Sequence, residues 1–375
     1  MAAMGGRGLQ IADGRELLHQ HDLEKGITLA RQSNTDEVLV NIKRDNIKMS
    51  TYQALQVRFN ESNIPVYCEL ILGLPGETYQ TWLDGIDDLL QNGLKNQLFV
   101  YMCQVYPNTE LHDVEYRKKF GVNTLRIPLT EIHGSIRHEG LIREFEEIIV
   151  STNSMPPEDW RKAALFSWMT MLLHSMKLGF FILYYLHERH GIKTSDFIGY
   201  ICDKRMQPGT GQLFRDEVAQ FESQLDWILQ GNGRGRELPE FGPIYWDEEE
   251  ASFLRISDKQ EQFYDEFLAV LKDFLNQQGV SFDDAELGEA IQYQSLMIPR
   301  CNPQTKTEWQ FDFNFPEYFE ACYLADSVPL AAKPQTLIIP NAKDFQGDRT
   351  LYAKETILWG RKSGTMLTEV EFIDA

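Results

Sequence analysis

Cysteine is scarce in this chain and badly placed for joint work: five residues in 375, at positions 68, 103, 202, 301 and 322, with no Cys-x-x-Cys pair. An odd, scattered set excludes a disulfide framework, and the missing close pairs exclude a zinc knuckle. Positive charge is short as well, with 36 Lys plus Arg against 56 Asp plus Glu and a net charge of -20. Sequence-independent attraction to nucleic acid or anionic lipid is thereby disfavoured, which leaves small molecules and other proteins as partners. No Gly-x-Ser-x-Gly elbow, Walker loop or zincin pattern occurs. Residues 1–10 hold no apolar core of signal-peptide length, so a reducing cytoplasm is the expected compartment. Long hydrophobic runs are also few. Residues 163–186 have the length of a bilayer span, but Lys177 near their middle costs roughly 2.5–3.5 kcal/mol on an insertion scale. With Gly179 as a break, two buried helices or one long one are expected there, and no membrane span.

What is present centres on residues 67–77, Tyr-Cys-Glu-Leu-Ile-Leu-Gly-Leu-Pro-Gly-Glu. An apolar run of strand length (Leu70, Ile71, Leu72) meets a Gly-Leu-Pro-Gly turn and an acidic helix start, the pattern of a strand feeding a helix at the ligand-binding edge of an α/β sheet. Gly73 and Gly76 remove side chains where a flat ligand would lie against backbone, and Pro75 fixes the turn. An ordinary tight βα loop would look the same.

Periodicity extends the pattern on both sides. Residues 14–23 read as a helix, 26–30 as a strand, 35–42 as a helix, 51–62 as a helix with Ser50 as N-cap, 66–72 as a strand, 81–92 as a helix stopped by Gly93, and 97–105 as a strand. Strands alternating with helices at this spacing indicate parallel βαβ units, yet three strands are too few to bury both faces of a parallel sheet or to close a barrel. Residues 156–279 read as helical, with 214–229 and 259–275 separated by a Gly-rich linker at 231–235. From residue 308 onward Trp309, Phe311, Phe313 and Phe315 alternate, and with 336–339 and 356–359 they suggest a small β-containing tail.

With these strings in view, residues 26–110 resemble the second half of the radical S-adenosylmethionine barrel, in the branch whose members also carry a cobalamin-binding domain. The matching stretches are Gly26-Ile-Thr-Leu-Ala-Arg-Gln-Ser33, Asn41-Ile-Lys-Arg-Asp-Asn-Ile47, Glu69-Leu-Ile-Leu-Gly-Leu-Pro-Gly-Glu-Thr78, and residues 100–111 ending in Tyr-Pro-Asn-Thr-Glu-Leu. The resemblance implies an α/β fold: the carboxy-terminal half of a partial (β/α)6 barrel, strands four to six, over residues 1–150. A helical domain (151–295) and a β-rich segment (296–375) would follow. It also implies that the adenine of S-adenosylmethionine packs on Ile71 and Gly73 with a contact near Val105, that Gln32 and Ser33 meet the ribose or amino acid end, and that Lys43 or Arg44 reaches the carboxylate. A helix-capping Ser33 and a solvated basic pair are the plainer alternatives. The family's Cys-x-x-x-Cys-x-x-Cys triplet, which holds a 4Fe-4S cluster, has no counterpart in this sequence. Cluster and cobalamin are therefore expected only in an intact protein of which this chain is the carboxy-terminal portion, or from an upstream cluster-bearing chain. The implied activity is methyl transfer or radical rearrangement on a small-molecule substrate; the alternative is a non-catalytic, degenerate half-barrel that binds or docks.

Histidine supplies a further set of candidates. His133 and His138 flank a loop after the sixth barrel strand, with Glu131 close by, where substrate would approach or where ordinary loop residues would stand. His19 and His21, two apart on a helix, point to different faces. His187 and His190 are spaced for a metal pair, but favourable interaction with a helix C-terminus explains them more simply.

Overall fold

The computed structural model describes residues 16–19, 21, 26–138, 140–324 and 327–374. Of the helix expected over 14–23, only 16–19 and 21 fall among them: 16–19 are helical and His21 is in a turn, and the remainder lies outside the described residues. The first described strand, β1 (Ile27–Thr28), leads through α1 (Asp36–Asn41) and α2 (Met49–Glu61) to β2 (Val66–Leu72). Helix α3 (Tyr79–Gln91) then returns the chain to β3 (Gln97–Met102). The three strands are parallel in the order β1-β2-β3, with Cys68 opposite Leu98 and Leu72 opposite Met102.

Alternation decides what β2 buries: Val66, Cys68, Leu70 and Leu72 are buried while Tyr67, Glu69 and Ile71 are half-buried. Helix α3 covers part of the sheet with Trp82, Ile86, Leu89 and Leu90, each contributing roughly 1.5–3 kcal/mol by burial. A capping box between Thr78 and Thr81 starts that helix. Ser50 is not the cap of α2. The amides of Thr51 and Tyr52 close on the carbonyl of Lys48, which makes Lys48 the N-cap and puts Ser50 inside the first turn.

Beyond β3 the sheet turns antiparallel. After α4 (Val114–Phe120), strands β4 (Asn123–Pro128) and β5 (Phe145–Ser151) form a hairpin, and β5 docks on the extension of β3. Val105 N–H donates to the Glu147 carbonyl at 2.7 Å and Ile149 N–H to the Cys103 carbonyl at 2.9 Å. This hairpin is absent from the periodicity reading, because residues 129–144 between its strands carry no turn-length signal.

Helix α5 (Pro157–Thr170) ends in a π-helical turn (Met171–Ser175), and α6 (Phe180–His190) leaves it at 93°. Gly179 caps α6 and Lys177, at φ +66°, makes the corner, so residues 163–186 form two helices. Among the described residues no single helix is long and apolar enough to cross a membrane; this bent pair passes only by length and composition, and within residues 163–186 every side chain but that of Tyr184 is buried. Helices α7 (Thr194–Cys202) and α8 (Gln212–Leu229), the ribbon β6 (Arg236–Glu237) with β7 (Tyr245–Trp246), and helices α9 (Glu248–Ser257), α10 (Gln260–Gln277) and α11 (Asp284–Leu296) complete the helical part.

The tail holds an antiparallel sheet of β8 (Glu308–Phe311), β9 (Gln335–Ile338) and β10 (Glu371–Asp374) in the order β10-β9-β8. Two expected strand segments are helical instead. Phe315 opens a helix (Phe315–Glu320) that Pro316 favours at its first turn, and Thr356 sits in a π-helical turn (Lys354–Trp359), its hydroxyl donating back to the Tyr352 carbonyl at 2.6 Å. One hydrophobic cluster runs from Tyr52 to Met366, and Trp82 Nε1 donates to Ser167 Oγ at 3.0 Å where α3 meets α5.

Glu77 fastens the two βα turns of the parallel sheet. It is 1% exposed and accepts from the hydroxyls of Ser33, Thr35 and Thr81. Removing the carboxylate takes the charged acceptor from three hydroxyls, so Glu77→Ala should lower unfolding free energy by roughly 2–4 kcal/mol in urea titration. A loss under about 0.5 kcal/mol, the range of neutral surface changes, would show that the clamp is dispensable.

Candidate functional site

The parallel strands end in a small cluster that gathers most of the residues expected to bind. Arg31 and Gln32 both direct their amides at the Glu69 carbonyl, a bulge that puts Gln32 at φ +57°, and the Gln32 carbonyl accepts from Ile71 N–H at 2.8 Å. Gln32 Oε1 is buried with no partner among the described residues. Val105 is buried with Val38, Leu74, Cys103 and Ile149, and Ile71 packs against the same group. Gly73 and Gly76 both lie at φ +101°, where only glycine is free of strain.

Three expectations meet other arrangements. Ile149 stands 3.4 Å from where a Cβ of residue 73 would be, so a side chain already lies against Gly73 where a flat ligand was expected. Ser33 is 1% exposed, with its hydroxyl bonded to Glu77 and accepting from Thr35 N–H. Lys43 is not brought to the strand end: its ammonium pairs with Glu110 at the surface, while Arg44 donates to the Ala30 carbonyl at 3.3 Å.

The face opposite the helices carries Tyr67, Glu69 and Ile71, with Phe99 opposite Glu69 and Tyr101 opposite Ile71. Tyr101 is 44% exposed and stacks on Phe99 at 6.3 Å between centroids. Beside it lies a cleft of about 300 Å³ whose walls come from β3, the 129–144 loop, the start of α9 and the Arg361 turn. Arg361, 2% exposed, lies over the Phe99 ring and donates to Glu249 at 2.7 Å, Glu250 at 2.7 Å and Gln97 at 3.0 Å. Glu250 also pairs with His133 Nε2 at 2.7 Å and accepts from Asp247 N–H.

Four consecutive carboxyls, Asp247 to Glu250, face too few cations to stay fully ionised. Burial pushes Asp247 up to about 7, with Glu249 and Glu250 adding to the shift. Burial likewise pushes Glu248 up to about 8 against the pull of Arg236, and holds Glu249 above its usual range in spite of Arg361. For Glu250 burial is outweighed by the His133 bond and Arg361, which bring it down to about 2. Burial opposes the charge on His133, but the bond to Glu250 raises it. The cleft thus keeps protonated and ionised carboxyls side by side near neutral pH, next to an open sheet face, and can pass or accept protons there.

Loop histidines separate in the fold. His133 belongs to this cleft, His138 lines a second cavity, and Glu131 holds the loop through its carbonyl to Gly134 N–H. His187 lies 4.0 Å from Glu188, whereas His190 turns to the Tyr185 hydroxyl at 3.4 Å. Sequence reading passed over Asp247, Glu249, Glu250 and Arg361, since an acidic run reads as a solvated helix start. The one available signal was four acids directly ahead of an apolar Ala-Ser-Phe-Leu.

No family model matches the chain. It is 27% identical over 326 residues to the cobalamin-dependent radical SAM methyltransferase TokK of Streptomyces tokunonensis, covering 83% of this chain and 47% of that protein. It is 28% identical over 322 residues to the 2-(S-pantetheinyl)-carbapenam-3-carboxylate methyltransferase of Streptantibioticus cattleyicolor, covering 80% of this chain and 46% of that protein. The chain spans about half the length of the curated relatives it matches. The resemblance to the cobalamin branch of the radical SAM superfamily thus has homologues behind it over most of the chain.

The charge balance of the cleft gives a measurable pH dependence. A carboxyl whose folded value is raised contributes stability that is whole below pH 4.5 and is lost as pH rises toward 8, the value of Glu248. Glu248→Gln keeps an acceptor for Gly235 N–H, which Glu248 holds at 3.1 Å, and removes the titration. Relative to wild type the variant should gain stability by about 1.4 kcal/mol per pH unit between roughly pH 5 and 8, read by urea unfolding at three pH values. A difference that does not change with pH would refute the protonated state.

Proposed function

We propose that the chain is the carboxy-terminal portion of a cobalamin-type radical S-adenosylmethionine methyltransferase, supplying the adenine side of the cofactor pocket and a substrate-facing surface. The three parallel strands are then strands four to six of a partial (β/α)6 barrel, followed by the helical part and the β-containing tail. The observation that carries this reading is the uncovered sheet face, where Glu69, Ile71 and Tyr101 leave the sheet half-exposed beside an unpaired Gln32 Oε1. A parallel sheet is ordinarily covered on both faces, and the relatives have roughly as much chain again with which to cover it.

S-adenosylmethionine, when bound, supplies an activated sulfonium. In this reading Ile71 and Val105 give the adenine an apolar wall and the Gly73 turn gives it free backbone groups. Gln32 Oε1 accepts from a ribose hydroxyl or the ammonium, and Ser33 positions that strand end through Glu77. Lys43 serves the carboxylate only if it leaves Glu110. The cleft carboxyls and His133 hold protons at the substrate side.

A 4Fe-4S cluster does not fit the residues present. Cys68, Cys103, Cys202 and Cys322 are buried singly and Cys301 is half-buried; burial pushes the thiols of Cys68 and Cys103 up to about 12. Thiols so disfavoured as thiolates are core residues. Cluster and cobalamin therefore belong to the remainder of the intact enzyme or to an upstream cluster-bearing chain, and no residue here is assigned to either.

S-adenosylhomocysteine tests the reading without a cluster. Saturation-transfer NMR should show stronger transfer to the adenine protons than to the amino acid end, and Ile71→Arg should reduce it at least tenfold while leaving the melting temperature near wild type. No adenine transfer, or transfer indifferent to Ile71, would favour the second reading, a half-barrel with no catalytic role.

A further inference from the structure

A larger cavity lies away from the strand ends. It encloses about 1060 Å³ between the 129–144 loop, the Gly-rich linker and α8. In a chain of net charge -20 its wall holds, among the described residues, five arginines, at 137, 143, 234, 236 and 255, against the acids Glu144, Asp226 and Glu237. Two of the arginines are occupied by carboxylates outside the wall, Arg255 by Glu217 and Arg234 by Glu146, and Asp226 is taken by Arg161.

Arg236 is held differently. Its guanidinium donates to two neutral amide oxygens, Gln224 Oε1 at 2.6 Å and Gln220 Oε1 at 3.0 Å, and its nearest paired carboxylate, Glu248, is 4.0 Å away. Gln224 is 2% exposed, and with its oxygen given to Arg236 its Nε2 is left buried with no acceptor among the described residues. A cation set among neutral amides, beside a spare amide donor, lacks an anionic oxygen. Nearby, Arg137 is ion-paired only loosely, at 3.6 Å, with the exposed Glu144, and Arg143 has no ion pair among the described residues. Apolar surface completes the wall: Trp227 is 52% and Leu141 60% exposed, with Leu129 and Leu238 beside them.

We infer that this cavity binds an amphipathic organic anion, a carboxylate or phosphate on an apolar chain, with its charge at Arg236, Arg137 and Arg143 and its chain against Trp227 and Leu141. Arg234 lines both this cavity and the carboxyl cleft, so the far end of the ligand runs toward the open sheet face. Calling the ligand the substrate rests on the methyl-transfer reading; the binding itself does not.

Calorimetric titration of the whole chain with octanoate, octyl phosphate and octanamide, in the absence of S-adenosylmethionine analogues, tests this. Both anions, or the one whose head group matches, should bind at least tenfold more tightly than octanamide and weaken with added salt; the tighter of the two identifies the head group. Arg236→Gln should cost about tenfold. The double variant Arg137→Gln, Arg143→Gln, changed only at accessible side chains, should cost at least threefold with an unchanged melting temperature. Equal binding of octanamide, no binding of any of the three, or wild-type affinity in the double variant would overturn the assignment. Such a failure leaves the adenine contact intact, and loss of adenine contact in the NMR experiment leaves the anion site intact.

Discussion

The guanidinium of Arg361 is the point on which the arrangement of the chain depends. Four separate pieces meet there: the first residue of β3 through Gln97, the start of α9 through Glu249 and Glu250, the 129–144 loop through His133 on Glu250, and the turn that carries Arg361 itself. A buried ion pair adds little net stability over an apolar replacement, but breaking one partner leaves an uncompensated charge worth several kcal/mol. Its effect is therefore on specificity. Each piece must arrive in one position for the charges to close, and the position they share is the edge of the open sheet face.

Local order was legible in the sequence because its causes are local. The strand at 66–72, the βα turn with its two glycines, and the apolar faces of α3, α8 and α10 follow from alternation, backbone constraint and helical period. What escaped depends on distant partners. Phe315 and Thr356 read as strand by composition, but Pro316 and the Tyr352 carbonyl offer helical alternatives. The β4–β5 hairpin needs β3 as its template, and a periodicity reading of residues 123–151 alone does not see that template. The same logic covers the site. Gln32, Ile71, Gly73 and Val105 were expected from the family resemblance that the strand-end strings carry, whereas Arg361 and its carboxyls lie more than a hundred residues apart in sequence and carry no spacing to read.

Charge is sorted in this molecule against its overall sign. Acidic residues outnumber basic ones, yet the larger of the two cavities gathers arginines, while the smaller cleft gathers carboxyls and neutralises only part of them. Against a net charge of -20, a basic pocket is a local field that favours anions at one place only, since long-range attraction of anions to the rest of the surface is absent. Selectivity is gained where association rate is given up.

The two cavities are held in relation to each other by the register of β5. Glu146 is the link: it takes Arg234, which stands between the cavities, and the side-chain amide of Gln104, just beyond β3. Gln104 also makes an antiparallel bridge with Ile148, so the position of Glu146 follows from the pairing of that strand. Because side chains alternate along a strand, a slip of one residue would turn Glu146 to the opposite face and release Arg234 from it. The distance between the carboxyl cleft and the arginine cavity is thus set by backbone hydrogen bonds of the sheet, and a ligand reaching from one to the other meets a spacing that side-chain motion alone does not change.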